Sequence, residues 1–185
     1  MPWIRVIDED EAEGELQQIY QEIAGARGKV ANIMKIHSLL PQTMKRHLEL
    51  YLSILFGRTG LTRPQREMIA VVVSAQNRCA YCLNHHGQAL NAYWKDDEKL
   101  ANFQRDFRSI ALGQAERAML DYSAKLTRDP AGVGERDIQA LHEAGFSDEQ
   151  ILSINLIASY FNFVNRVAEG LNVEFSEEEM RGYKY

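Results

Sequence analysis

Apolar residues recur every three or four positions along most of this chain, and strict alternation is nowhere sustained. Leu16, Ile19, Tyr20 and Ile23 form one such stripe, which predicts a helix from Ala12 to Ala26, ended by Gly25 and Gly28. Ile33, Ile36, Leu39 and Leu40 predict a second, short helix over Asn32–Leu40. Pro41 lacks a backbone N–H, which a first helical turn does not need, and it opens a third helix to Phe56. Thr62 followed by Gln65 has the spacing of a capping box, so the next helix starts there and runs to about Ala75. Gln76-Asn77-Arg78 reads as a break before a helix from Cys79 to Trp94. Acidic residues at Asp96–Glu98 favour a helix start and lead to about Leu112. Gln114–Arg128, Glu135–Glu143 and a long segment opened by Ser147 and Gln150 and running to about Glu169 complete the set, separated by Asp129–Gly132 and by Gly145. Val71-Val72-Val73 is β-branched but lies inside a capped segment of helical period. The polar tail from Glu174 is expected to pack weakly or against a partner. No linker rich in Ser and Gly interrupts the chain, so the expectation is one all-α domain, a helical bundle over residues 1–185.

Composition narrows the function. The 185 residues suffice for one domain with a real core, and 45% apolar with 25% charged residues is an ordinary globular balance. A net charge of −5 without a basic stripe argues against a nucleic-acid partner. No apolar run approaches the ~18 residues of a membrane span, and the acidic N-terminal stretch does not read as a secretory signal. A cytoplasmic protein is therefore expected. In a reducing compartment two cysteines three residues apart are not a structural staple, and redox or metal chemistry is the better reading.

Those cysteines, Cys79 and Cys82, lie in the stretch Thr62–Gly87 together with His85, His86 and Glu67. At about 100° per residue, Cys82 lies about 300° from Cys79 around the helix, His86 about 340° and His85 about 240°. His86 thus falls between the two thiols and one turn beyond Cys82. A helix N-terminus favours a thiolate, and His86 is placed to take the Cys82 proton. Glu67 sits among Met68, Ile69, Val71 and Val72, where a lone carboxylate is costly. An imidazole partner would offset that cost and be oriented by it. Such a set suits a peroxide: a thiolate attacks the O–O bond, a sulfenic acid forms, and the second thiol condenses with it to a disulfide that an external reductant reopens. Cys82 is the expected nucleophile and Cys79 the resolving thiol, with the reverse order also open. Zinc held by Cys79, Cys82, His86 and Glu67 is the competing chemistry, disfavoured because a second Cys pair is missing. His85 reads as a polar surface or interface residue, His37, His47 and His142 as ordinary helix residues, and Tyr81, Tyr93 and Trp94 as core or interface aromatics; Asn162, Asn165 and Arg166 lie where they could line the site or an oligomer contact, with a solvated face the first reading of each. No bound cofactor is expected.

The pattern Glu67, eleven residues, Cys79, two residues, Cys82, three residues, His86 resembles the core motif of the alkylhydroperoxidase D (AhpD)-like proteins, within the wider carboxymuconolactone decarboxylase family. The N-terminal lead and YFNFVNRVAEGLNVEF are similar to the longer, peroxidase-related branch, so the resemblance covers most of the chain. It departs at Tyr81, where the best-studied AhpD type has a histidine. The resemblance implies an all-α bundle assembled as a homo-oligomer. It also implies reduction of organic hydroperoxides with electrons from dithiol partners, in some cases a lipoyl-bearing protein, and catalytic roles for Cys79, Cys82, His86 and Glu67. Two other functions stay open: a decarboxylase of the kind found in other branches, which does not need two cysteines, and a redox-sensing or scaffold protein with little turnover.

Overall fold

The computed structural model describes residues 1–176, whose regular elements are all helices, without a strand. The expectation for the polar tail falls largely on residues 177–185, outside the described residues. Nine α-helices follow in order: α1 (Gly14–Arg27), α2 (Asn32–Lys35), α3 (Pro41–Phe56), α4 (Arg63–Gln76), α5 (Ala80–Trp94), α6 (Asp97–Arg105), α7 (Gln114–Arg128), α8 (Glu135–Glu143) and α9 (Asp148–Leu171) among the described residues. Two short 3₁₀ turns, Phe107–Ser109 and Pro130–Gly132, flank α7. No helix among the described residues is long and apolar enough to cross a membrane.

Two expected helices are shorter than their apolar pattern. The second stops at Lys35 because the following N–H groups bond three residues back: His37 to Met34, Ser38 to Lys35 and Leu40 to His37. The Ser38 hydroxyl is taken up by a tertiary bond from the Ile7 N–H at 2.9 Å. The segment expected to reach Leu112 breaks at Asp106, whose extended backbone (φ −156°) ends α6 and whose carboxylate accepts from the Arg108 N–H at 2.9 Å. Asp there competes with the helix by bonding its own backbone neighbours.

By packing, the chain divides into two compact units. The first is Met1–Ser53 with the described residues from Val167 onward. Its core is Leu16, Ile19, Tyr20, Ile23, Val30, Met34 and Met44, the predicted stripe of α1 closed by residues from α2 and α3. The Tyr20 hydroxyl donates to the Ile7 carbonyl at 2.7 Å, and burial pushes its pKa up to about 12. His37 and His47 meet edge to face here, ring centroids 4.8 Å apart.

The second unit, Ile54–Arg166, is built around α4. Every residue from Arg66 to Ser74 is buried, as a helix enclosed on all sides must be. α5, α6 and α7 pack against it. Leu55, Leu90, Phe103, Met119, Leu120, Leu141, Ile154, Ile157 and Phe161 are also large, fully buried side chains of this unit. Each full burial of that kind is worth about 1.5–3 kcal/mol. The capping box at Thr62 and Gln65 forms as the spacing predicts: Thr62 N–H donates to Gln65 Oε1 at 2.9 Å, and Gln65 N–H returns to Thr62 Oγ1.

Candidate functional site

The site stands where α4 ends and α5 begins. Asn77 N–H donates to Val73 O, Arg78 N–H to Ala75 O at 3.1 Å and Cys79 N–H to Ser74 O at 2.9 Å. The last two bonds are the pair that define a Schellman ending, with Arg78 as its left-handed residue (φ 58°). A side chain other than glycine held there carries about 1 kcal/mol of strain. Cys79 leaves this turn as the N-cap of α5, and Cys82 is then the third helical residue. These are the two positions whose side chains face each other in a capping box, so the chain presents both sulfurs together at the positive end of α5. They are fully enclosed, Cys79 at 0% and Cys82 at 2% exposure, and no disulfide joins them.

His86 lies one turn beyond Cys82 on the same helix. Its Nδ1 is 2.6 Å from Glu67 Oε2. A carboxylate only accepts, so Nδ1 carries the hydrogen and, in the neutral ring, Nε2 carries the lone pair. The Phe161 ring stands edge-on at 4.5 Å from the imidazole. Glu67 is sealed at 0% exposure, while His86 keeps 14%. The other carboxylate oxygen, Oε1, lies 2.5 Å from Arg63 Nη2, an ionic contact rather than an aligned hydrogen bond. Glu67 therefore sits between two cationic or cation-forming partners, which answers how an apolar helix face tolerates it. Arg63 is itself pinned: it donates to the Leu55 carbonyl at 2.8 Å and lies 3.9 Å over the Phe56 ring. Among the described residues no group of three or more His, Cys, Asp or Glu side chains is arranged to hold a metal ion.

Residues 41–125 match the carboxymuconolactone decarboxylase family in sequence. An uncharacterized peroxidase-related protein from Silicibacter sp. TM1040 has a similar structure, with 29% identity, TM-score 0.82 and coverage of 99% of this chain and 93% of that one. Another, described as an alkylhydroperoxidase AhpD core and uncharacterized peroxidase-related protein from Ralstonia eutropha JMP134, gives 27% identity, TM-score 0.86 and coverage of 97% and 94%. In fold, and in sequence over residues 41–125, the chain is similar to the AhpD-like proteins of the carboxymuconolactone decarboxylase family. The debrominase Bmp8, in complex with 2,3,4-tribromopyrrole, shares the fold at 17% identity and TM-score 0.77, covering 94% of this chain and 91% of its own. No curated protein matches this chain in sequence. The AhpD-like fold and family point to alkylhydroperoxidase-related chemistry, and the family is typically one of enzymes.

Against this AhpD-like frame, the four expected residues fall in one neighbourhood: the two thiols and His86 on the first turns of α5, and Glu67 bonded to His86 from α4. Tyr81 is a buried core aromatic with the His85 ring 4.5 Å away, and the half-buried Trp94 packs on Phe103 at 5.1 Å. Tyr93 is exposed. His47 is a helix residue as expected, but a buried one, and burial together with the charge of His37 holds its pKa down to about 4. Two structural residues escaped the sequence reading, and a third is bonded more closely into the site than its first reading placed it. Arg63 is one. Arg66 is another: it is buried and donates to Ile54 O, Gly57 O, Leu61 O and Thr59 Oγ1, without a carboxylate among them. Burial first, then the Arg63 charge, pulls it below the usual guanidinium range. Asn165 is the third. It was expected on a solvated face, yet it is 1% exposed and bonded into the turn before Cys79. Arg63 stands four residues before Glu67, the spacing of a helical ion pair, and that was the available signal.

Proposed function

We propose that this protein is a thiol-dependent peroxidase that reduces organic hydroperoxides through a Cys79/Cys82 dithiol–disulfide cycle. The observation that carries the reading is the 2.6 Å bond from His86 Nδ1 to a fully buried Glu67 carboxylate. It fixes the imidazole with Nε2 as the basic nitrogen, one helical turn from Cys82. Cys82 gives its proton to His86, and the thiolate attacks the terminal peroxide oxygen. The O–O bond breaks, the alcohol leaves with the proton returned by His86, and Cys82 becomes a sulfenic acid. Cys79 then attacks that sulfur, water leaves, and the disulfide closes. Glu67, itself held by Arg63, orients the ring and balances the positive charge His86 acquires while it carries the proton.

Regeneration requires two electrons and two protons from an external dithiol, which we assign to a reductant protein, lipoyl-bearing or otherwise. The cycle belongs in a compartment that keeps thiols reduced, as the cytoplasm does. Assembly as a homo-oligomer is part of the same proposal.

The test begins with the reduced protein and one equivalent of an organic hydroperoxide. Loss of both thiols with a mass decrease of about two hydrogens is the expected half-reaction. Cys79→Ser should stop at a sulfenic acid on Cys82, and Cys82→Ser should not react. Retained turnover in either variant would reject the two-thiol cycle. An unreactive wild-type protein whose assembly changes on oxidation by other means would leave the redox-sensing function in its place.

A further inference from the structure

α9 reaches into the turn that carries Cys79. Asn165 Nδ2 donates to Ser74 Oγ at 3.2 Å, and its Oδ1 accepts from Asn77 Nδ2 at 2.9 Å. The same Asn77 amide donates to Asn162 Oδ1 at 3.1 Å, and Asn162 Nδ2 donates to Thr127 Oγ1 on α7 at 3.0 Å. Ser74 is also the residue whose carbonyl accepts from the Cys79 N–H. One buried amide therefore grips both sides of the Schellman turn, at Ser74 before it and at Asn77 within it. A left-handed Arg78 persists only where surrounding contacts over-determine it, and these bonds are such contacts. Burial makes them hard to exchange for water: Ser74 is 0% and Asn165 1% exposed.

We propose that Asn165 is a positioning residue for the dithiol: through Ser74 and Asn77 it fixes the backbone of Cys79 at the start of α5 so that its sulfur stays within pairing reach of Cys82. The inference rests on the proposed cycle only for its dithiol–disulfide couple. Ring closure of a four-residue segment depends on how often the two sulfurs meet, so the turn's rigidity enters the equilibrium directly as an effective concentration. Loosening the turn lowers that concentration and makes the disulfide easier to reduce.

The test equilibrates the full-length protein in glutathione buffers. There the dithiol loses two electrons and two protons as one glutathione disulfide becomes two thiols. The fraction oxidised is read by intact mass. Asn165→Leu keeps the volume and removes the bonds. We expect its effective concentration to fall about tenfold, which is a rise in potential of about 30 mV. Asn77→Ala, at a half-buried position less critical to folding, should shift it in the same direction. Ser74→Ala added to Asn165→Leu should change little more, because both act through one bond network. Leu141→Ala, in the core away from the turn, should lower the melting temperature without moving the potential. An unchanged or lowered potential in Asn165→Leu and Asn77→Ala, or an equal rise in Leu141→Ala, overturns the positioning role and leaves the peroxidase reading standing. A wild-type protein that forms no Cys79–Cys82 disulfide at any glutathione ratio overturns both.

Discussion

Replacing Glu67 with Gln tests the centre of the site without changing its volume. The wild-type carboxylate offers two acceptors, and each meets a donor: His86 Nδ1 at 2.6 Å and Arg63 Nη2 at 2.5 Å. The amide has one acceptor and one NH₂ group, so it either turns the NH₂ toward the Arg63 guanidinium or turns it toward His86 and forces the ring into the opposite tautomer, and in both cases the guanidinium loses its counter-charge. Losing a partner from a fully buried ion pair costs about 3–5 kcal/mol. Arg63 and His86 retain 18% and 14% exposure, so part of that loss is recovered from water and about 3 kcal/mol is the working figure. At about 2–4 °C per kcal/mol for a chain of this size, Glu67→Gln should melt about 6–12 °C below the wild type. Thermal unfolding at neutral pH measures this. A double-mutant cycle with Arg63→Met makes it specific. With the guanidinium gone the amide can turn its NH₂ away from His86, and the cost of Glu67→Gln should shrink by at least about 1 kcal/mol. A melting point within about 2 °C of the wild type, or full additivity with Arg63→Met, would refute the shared-carboxylate account.

Other consequences can be measured independently. His47 ordinarily titrates near 6.5 but is held down to about 4 in the fold, so between those values the unfolded chain binds a proton that the folded chain refuses. Its contribution is fully present above about pH 6.5 and is lost as the pH falls toward 4. By pH 5 the loss is about 2 kcal/mol. Urea unfolding of wild type and His47→Leu at pH 7 and 5 should show it as a pH dependence larger in the wild type by about 2 kcal/mol, since His37 stays in both, and parallel behaviour would reject it. Arg66→Met should cost more than about 3 kcal/mol by stranding several acceptors at once. Arg66→Lys should recover less than half, since one ammonium cannot span the acceptors a guanidinium reaches. Chemical denaturation of the two variants decides this, and equal stability of Lys and wild type would contradict the bonding.

Much of this was legible because local chemistry and tertiary packing agreed. Pro41, the Thr62–Gln65 capping box, Pro130 and Gly145 mark helix limits that the fold keeps. The dithiol and His86 were legible by phase, since one helix carries all three, and Glu67 by its apolar neighbours. The overextended helices have a common reason: Ser38 answers to Ile7, 31 residues away, and Asp106 to its own backbone, and neither interrupts the apolar period. Arg66 was hidden, and Asn165 left between a solvated face and the site, for a related reason. A polar residue on a helix reads as solvated unless one knows which carbonyls or amides lie opposite. For Arg66 those are the carbonyls of Ile54, Gly57 and Leu61. For Asn165 they are on a helix end about ninety positions earlier in the chain.

The unequal sealing of Glu67 and His86 has a consequence for chemical rescue. A void left by truncating His86 would open on the side where the ring now keeps 14% exposure, so imidazole from solution has a way in and restores a base beside the thiols. A void left by truncating Glu67, at 0% exposure, lies behind that ring, and small carboxylates in the buffer are shut out. In the proposed cycle the proton acceptor would thus be replaceable from outside and its anchor not, with proton traffic to the solvent passing through the imidazole and the carboxylate acting as a fixed charge behind it.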